Sequence, residues 1–447
     1  MDASRPYPEA DPHVEQPDKL ERRIGPGMLL LFILGDILGA GIYVRIGGVA
    51  GEVGGAIWLS FLLAFVVAAL TAASYAELVT KYPGAGGAAL YVNKAFQAPF
   101  VTFMVGFAVL ASGLASASAV ARAFGGDYLK AFVELPTVLV ALAFILAVAF
   151  INFRGISESI RVNVVLTLIE AGGLFLVVLI GVAALSGGEG DLGRPFTFKE
   201  GVSIPLAVLL GSSVAFYALI GFEDSVNLAE ETREPSRIFP WALFGGLIAA
   251  GILYILVGFV AALVVNPSTL AGSSGPLREV VDAGPLSVPG QFFSAIALVA
   301  VTNTALINMI MASRILYGMA NQRVVPEALG RVHRTRRTPW ISIIFTTLIA
   351  LVLVSTGDIG DLAQTTVLLL LLVFAIVNIS VLILRRDRVD HRHFTVPAVI
   401  PVLGAVTCLA VLSQQAGDIF LRAGLLLLVG LVLWVVNVLL RNRLDRQ

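Results

Sequence analysis

The chain has 447 residues, of which 57% are apolar and 13% charged, and its mean hydropathy is +0.91. A soluble domain carries about 25% charged residues, so this composition excludes a water-soluble globule and makes lipid the solvent. Lys and Arg equal Asp and Glu at 30 each, so no net charge draws the chain to nucleic acid.

Residues 1–23 are rich in Pro, Asp, Glu and Arg and lack the apolar stretch of a signal peptide, so they are expected to be a disordered cytoplasmic tail. Beyond them, runs of the length needed to cross a bilayer, about 20 apolar residues, recur. They cover 24–44, 53–76, 95–121, 135–153, 159–185, 201–222, 238–277, 283–313, 338–357, 362–384, 394–417 and 423–440. The expectation is twelve transmembrane helices, referred to below as spans 1 to 12. Span 1 is interrupted by Asp36 and span 5 by Glu170; Pro267, Pro276 and Pro285 punctuate the two longest runs, which should therefore end in loops.

Lys and Arg in the loops set the orientation. With the N-terminus cytoplasmic, the outer side receives only Arg45, Arg122, Lys130, Arg194, Lys199, Arg278 and Arg422. Arg314 lies within span 8, and the remaining 22 basic residues fall on the cytoplasmic side. Both termini are expected in the cytoplasm, with the chain in the plasma (inner) membrane. The single cysteine, Cys408, permits no intrachain disulfide. The four histidines stand in polar segments without a Cys, Asp or Glu cluster, so neither a metal site nor a cofactor is expected.

Two spans combine glycine with acid. Span 1 reads Gly35-Asp36-Ile37-Leu38-Gly39-Ala40-Gly41-Ile42-Tyr43, and span 6 reads Phe216-Tyr217-Ala218-Leu219-Ile220-Gly221-Phe222-Glu223-Asp224. Glycine in a helix interior costs about 1 kcal/mol relative to alanine. An acid at the centre of a span costs roughly 2.5–3.5 kcal/mol. Gly35 and Gly39 also make a Gly-x-x-x-Gly pattern suited to close helix packing, but the adjoining acids point to helices meant to break. The two breaks each open a block of five spans, and five is odd, so the second block runs inverted. Interrupted spans at matching positions of inverted halves mark a carrier's binding site. A broken helix presents free N–H groups at one half and free C=O groups at the other; the first suits a carboxylate and the second an ammonium. An amino acid carries both.

These segments resemble the amino acid–polyamine–organocation (APC) superfamily, particularly its cationic and neutral amino-acid permeases. The resemblance extends to Ser74-Tyr75-Ala76-Glu77-Leu78 and Pro83-Gly84-Ala85-Gly86-Gly87, to Ala229-Glu230-Glu231-Thr232 and Pro235-Ser236-Arg237, and to Ala312-Ser313-Arg314-Ile315-Leu316-Tyr317 and Arg337-Thr338-Pro339-Trp340. It implies an all-α membrane protein with a five-plus-five inverted repeat (24–185 and 204–384, together the core 24–384). Spans 1 and 6 would be discontinuous, and residues 385–447 would add a loop, two further helices and a short cytoplasmic tail. It implies alternating access with the substrate between spans 1 and 6. Gly39, Ala40 and Gly41 would offer amides to its carboxylate, Tyr217 would close over it, and Ala218 and Ile220 would offer carbonyls to its amine. The family often has Ser or Thr where Ala40 stands.

Glu170 lies twelve residues after Glu158, roughly 18 Å along a helix and about half of a ~30 Å hydrocarbon core. It stands where related proton-coupled permeases often carry a lysine. Glu170, with Glu223 or Asp36, is therefore the candidate coupling site for protons; a cation held by Glu170, or a merely hydrogen-bonded carboxyl, are the alternatives. Asp36 is open to three roles: reading a substrate amine, accepting a proton, or pairing with Arg314. Glu77, Glu230, Glu231 and Arg237 lie at cytoplasmic helix ends and read as gate ion pairs or plain interfacial charges. Ser112 and Ser116 share a face of span 3, either lining the pocket or bonded to their own helix; Asn303 is the pocket candidate from span 8. Nothing in the sequence suggests an enzyme: no nucleotide loop and no catalytic constellation lies in the spans. The expectation is a secondary active transporter (permease) for an amino acid, working by alternating access and coupled to protons, with symport the mode named for it, although uniport, antiport and symport are not separable from the sequence. The alternatives are a polyamine/amino-acid antiporter, a non-transporting sensor, or a channel. The oligomeric state is not encoded in any feature of the sequence.

Overall fold

The computed structural model describes residues 24–84, 86–154, 160–229, 231–321, 324–336 and 338–444; the expected tail 1–23 lies outside them. Among the described residues all regular structure is helical, apart from one isolated bridge between Ile24 and Thr232. That suits a bilayer, where every backbone group must find its partner within the protein. Among the described residues nine helices are long and apolar enough to cross a membrane, or ten if one bent pair counts as a single span.

In chain order, α1 (Pro26–Leu38) and α2 (Gly41–Val53) form that bent pair, with 43° between them. α3 (Ile57–Lys81) is followed by the short α4 (Gly87–Phe96) and by α5 (Pro99–Ala123). α6 (Thr137–Arg154), α7 (Ile160–Gly187) and α8 (Ile204–Ala215) come next. α8 passes into a single tight turn, Phe216–Leu219, and a second such turn covers Asp224–Leu228. α9 (Pro235–Val264) leads to the short α10 (Pro267–Gly272) and α11 (Pro276–Ala283). α12 (Gly290–Asn321) and α14 (Ile359–Leu384) are long, whereas α13 (Trp340–Thr356) and α15 (Val399–Leu412) are shorter apolar helices; α16 (Gly417–Leu444) ends the described chain.

The prolines explain how the long apolar run 238–277 divides. Pro267 and Pro276 each occupy the first turn of a short helix, where a missing N–H removes no bond. Span 1 runs further than its hydropathy suggests. α2 continues nine residues past Val44, so Arg45, counted above with the outer loop, is a buried side chain within a helix. The packing is that of a bundle around the broken helices. α3 lies against α9, α5 against α12 and α14, and α1 against α9. Long apolar side chains such as Leu139, Phe150, Leu348 and Leu421 face outward, as lipid contact requires.

Candidate functional site

α1 ends and α2 begins at Gly39-Ala40. Leu38 is the last residue of regular helix; the backbone turns at Gly39 (φ −42°, ψ −163°) and restarts at Gly41. Two absences of side chain make the turn possible. A Cβ on Gly39 would lie 2.6 Å from Thr304 Oγ1, and a Cβ on Gly41 would lie 2.6 Å from Ala218 Cα. The first contact brings α12 onto the break, and the second brings the break of span 6 onto the break of span 1.

Span 6 opens in the complementary way. The turn Phe216–Leu219 ends at Ile220, which is extended (φ −75°, ψ 152°). Gly221 follows at φ +124°, a conformation that glycine adopts without the steric penalty other residues meet. Its Cα faces span 1, where a Cβ would meet the Asp36 carbonyl oxygen at 2.8 Å. Glu223 folds back to accept a 2.9 Å hydrogen bond from the Gly221 amide, so this buried carboxylate braces the break from within. Phe222 anchors it from outside: its ring stands 5.9 Å from that of Tyr75 and 5.4 Å from that of Phe374. The two spans are tied again beside the start of α1, where Ile24 exchanges backbone hydrogen bonds of 3.0 Å with Glu231 and Arg233.

Between the breaks lies a cavity. Span 1 lines it with Gly35, Asp36, Ile37, Gly39, Ala40 and Gly41, and span 6 with Tyr217, Ala218, Ile220, Gly221, Glu223 and Asp224. α5 contributes Ser112, Gly113 and Ser116; α12 contributes Asn303, Thr304 and Asn308; α14 contributes Thr366. Polar groups inside this wall bind one another. The Ser116 and Tyr217 hydroxyls are 3.0 Å apart, and Asn308 Nδ2 donates to Thr304 O at 2.9 Å and to Ser116 Oγ at 3.4 Å. The Ala40 amide donates to Thr304 Oγ1 at 2.9 Å, so a side chain from α12 satisfies a group that helix breakage freed. Ser112 spends its hydroxyl on Val109 O, 2.7 Å away in its own helix.

Glu170 is buried on α7, next to the cavity wall. Asn303 Nδ2 donates to its Oε1 at 3.2 Å, while Oε2 has no hydrogen-bond partner among the described residues. Three tyrosine hydroxyls hold the backbone around it. Tyr43 donates to Glu170 O at 2.7 Å, Tyr128 to Tyr43 O at 2.7 Å, and Tyr254 to Ile37 O at 2.5 Å. The carboxyl thus sits one side chain, Asn303, from the cavity.

The charged residues at helix ends are placed differently from one another. Glu77 is 3% exposed and accepts from Arg385 Nε (3.2 Å), Arg385 Nη2 (3.0 Å) and the Val396 amide (2.9 Å), joining span 2 to the segment after α14. Arg237 forms a 3.9 Å pair with Glu234 in which the side chains are 87% and 73% exposed. Arg314 is exposed on α12, off the cavity lining, and Glu230 lies outside the described residues. A second cavity shares Val109, Glu223, Asp224, Met311 and Ile315 with the first and leads toward Gly86–Ala89. Toward the opposite side, Arg45 lies buried beside Gly48 and Gly360, and its Nε has no hydrogen-bond partner among the described residues.

Two of these residues escape a sequence reading. Thr304 is hidden in the run Thr302-Asn303-Thr304; its i, i+4 relation to Asn308 is the signal that both share one face. Arg45 resembles a loop charge because it follows the apolar run.

The comparisons with known proteins agree with this geometry. The family model described as amino acid permease matches residues 27–435. A branched-chain amino acid permease of Bacillus subtilis is 25% identical over 93% of this chain and 92% of its own length. Cationic amino acid transporter 9, chloroplastic, of Arabidopsis thaliana is 30% identical over 71% of this chain and 58% of its own. A methylthioribose transporter of Bacillus subtilis is 25% identical, covering 93% of each chain. A match spanning both broken helices and the walls of the cavity leaves one conclusion: the chain belongs to the amino acid permease family of the APC superfamily, whose members are transporters in the membrane.

Proposed function

We propose that this protein is a secondary active transporter that carries an amino acid across the plasma membrane by alternating access, coupled to protons. The observation that carries this reading is the backbone contact of the two breaks at Gly41 and Ala218, with a cavity built around it. In this reading the amides of Gly39 and Gly41 and the carbonyls of span 6 serve one small volume and together suit a zwitterion, while the Ala40 amide is held by Thr304. Among the described residues the second cavity supplies a route from that volume past Glu223 and Met311.

In this reading α13 and α15 complete a set of twelve spans, with both termini on the cytoplasmic side. Residues 24–185 and 204–384 form inverted repeats. The packing supports the repeat: spans related by five positions touch one another, as α2 touches α8, α3 touches α9, α5 touches α12 and α6 touches α13. Such contacts are what a pseudo-twofold axis in the membrane plane produces.

Glu170 is the coupling site. A buried carboxyl with one oxygen bonded to Asn303 and the other lacking a partner is equipped to take and release a proton. Asn303 then connects its charge state to the cavity. Glu77 and Arg385 form a clasp at one membrane face.

A second reading concerns the cargo. Asp36, Glu223 and Asp224 line the cavity, and among the described residues its lining holds no Lys, Arg or His. This favours a substrate with a cationic side chain, as the name of the plant relative suggests for that protein, over the branched-chain cargo in the name of the Bacillus permease.

Purified protein in liposomes, loaded with one unlabelled amino acid at a time, tests both readings. Saturable counterflow of the same labelled amino acid is expected, fastest with basic side chains. Ohmic current without counterflow would make the protein a channel, and binding without flux would make it a sensor.

A further inference from the structure

Away from the transport cavity, α6 and α13 enclose a second kind of site. They run side by side and leave a groove between them, lined by Leu146, Ala149 and Phe150 of α6 and by Ile343, Thr347 and Leu348 of α13, among others. Small or recessed side chains make the floor: Ala149, Ile343 and Thr347 are buried. The walls stand out from it, since Leu146, Phe150, Ile344 and Leu348 each expose about half of their surface. Thr347 does not make the floor polar, because its hydroxyl donates to Ile343 O at 2.6 Å in its own helix. The result is a trough, not a flat lipid-facing surface, with apolar walls throughout.

One end of the trough is basic. Phe153, His333 and Trp340 line this end. Arg154 lays its guanidinium over the Phe150 ring at 4.5 Å, and His333 stands edge-on to Phe153 at 5.2 Å. The segment that follows α12 is pinned there by two bonds, Thr338 Oγ1 to Phe153 O at 3.0 Å and the His333 amide to Thr338 O at 2.9 Å. Arg331, Arg334 and Arg336 are exposed on that same pinned segment. Cations on a fixed platform at the mouth of an apolar trough match a molecule with one anionic end and one long apolar end.

We infer that the groove between α6 and α13 is a binding site for one anionic phospholipid, its acyl chain along Ala149, Ile343 and Thr347 and its phosphate against Arg154 and the basic segment 331–336. The positive-inside rule puts this mouth at the cytoplasmic surface, the surface where anionic headgroups attract basic side chains. Trp340 at the mouth lies at the depth where aromatic side chains meet headgroups. The site is independent of the cargo, because none of its residues lines the transport cavity.

Trp340, one of four tryptophans, reports on occupancy. The protein is placed in phosphatidylcholine nanodiscs with rising fractions of phospholipid carrying brominated acyl chains, with either a phosphatidylglycerol or a phosphatidylcholine headgroup. Quenching present in the parent protein and absent from Trp340→Phe is the signal of the groove. It should reach half its limit at a lower fraction for phosphatidylglycerol, by about fivefold for each basic side chain that meets the phosphate. Arg154→Ala with Arg334→Ala, both at exposed positions, should reduce that preference, by about fivefold for each of the two side chains that meets the phosphate, and leave transport in place. Ala149→Phe should abolish the signal for both lipids by filling the floor. Equal quenching by the two headgroups, or a preference unchanged in the double arginine variant, would overturn the assignment. So would efficient disulfide formation between copies of Phe150→Cys in the same nanodisc, since a second copy would then occupy the groove.

Discussion

Gly41 and Ala218 bring the two broken spans into backbone contact: a Cβ at position 41 would stand 2.6 Å from Ala218 Cα. No side-chain rotation relieves such a clash, because the obstructing atom is main chain. Gly41→Val should therefore separate the breaks and abolish transport. Gly51→Ala is the matched control, since its Cβ would meet only Ala271 Cβ at an ordinary 3.5 Å. Both variants are measured for initial uptake rate at equal amounts of folded protein. An active Gly41→Val would show that the contact is dispensable.

The Thr304 hydroxyl is the acceptor for the Ala40 amide at 2.9 Å. Thr304→Val keeps the volume and removes the acceptor. A donor left without its partner costs roughly 1–3 kcal/mol, or about five- to hundredfold in an equilibrium constant. Apparent KM for the transported amino acid should rise within that range, and Thr304→Ser should restore it. A KM unchanged in Thr304→Val would mean that water replaces the hydroxyl without loss.

How far the molecule can be read from its sequence follows from which forces are local. Lipid demands runs of about 20 apolar residues, so the helices are legible one by one. The interruptions in α1–α2 and after α8 are legible for the same reason, because glycine and acid together oppose an unbroken helix at those positions. Contacts between distant helices are not. Nothing near Glu77 indicates that its carboxylate meets Arg385 and the Val396 amide, more than 300 residues away. Nothing near Gly39 names Thr304. The burial of Arg45 follows from the extra turns of α2, which depend on α8 and α10 packing beside it.

Arg385 and Glu77 make a pair with one partner almost fully buried. Arg385→Ala leaves the Glu77 carboxylate with the Val396 amide alone. Two charge-assisted hydrogen bonds are lost, each kind worth roughly 1.5–3 kcal/mol, and the thermal midpoint of the detergent-solubilised protein should fall accordingly. Arg237→Ala removes only a highly exposed pair and should leave the midpoint where it was. Equal midpoints for the two variants would contradict the distinction drawn from burial.

Glu170 and Asn303 link a buried carboxyl to the cavity wall. Glu170→Gln preserves shape and hydrogen-bonding capacity but cannot exchange a proton. Accumulation driven by an inward-directed acidic gradient should disappear in this variant, while counterflow at equal pH on both sides persists. Gradient-driven accumulation that survives in Glu170→Gln would move the coupling elsewhere.

Occupancy of the cavity by the transported amino acid is the claim on which the rest depends. Ser112 lines that cavity on α5, and Ser186 lies exposed at the end of α7. In a Cys408→Ala background, Ser112→Cys and Ser186→Cys are labelled with a small membrane-permeant thiol reagent, with and without saturating substrate. Substrate should slow labelling at position 112 in step with its transport affinity and leave position 186 unchanged. Labelling at position 112 that is indifferent to every transported amino acid would contradict the account and place the substrate outside the volume between the two breaks.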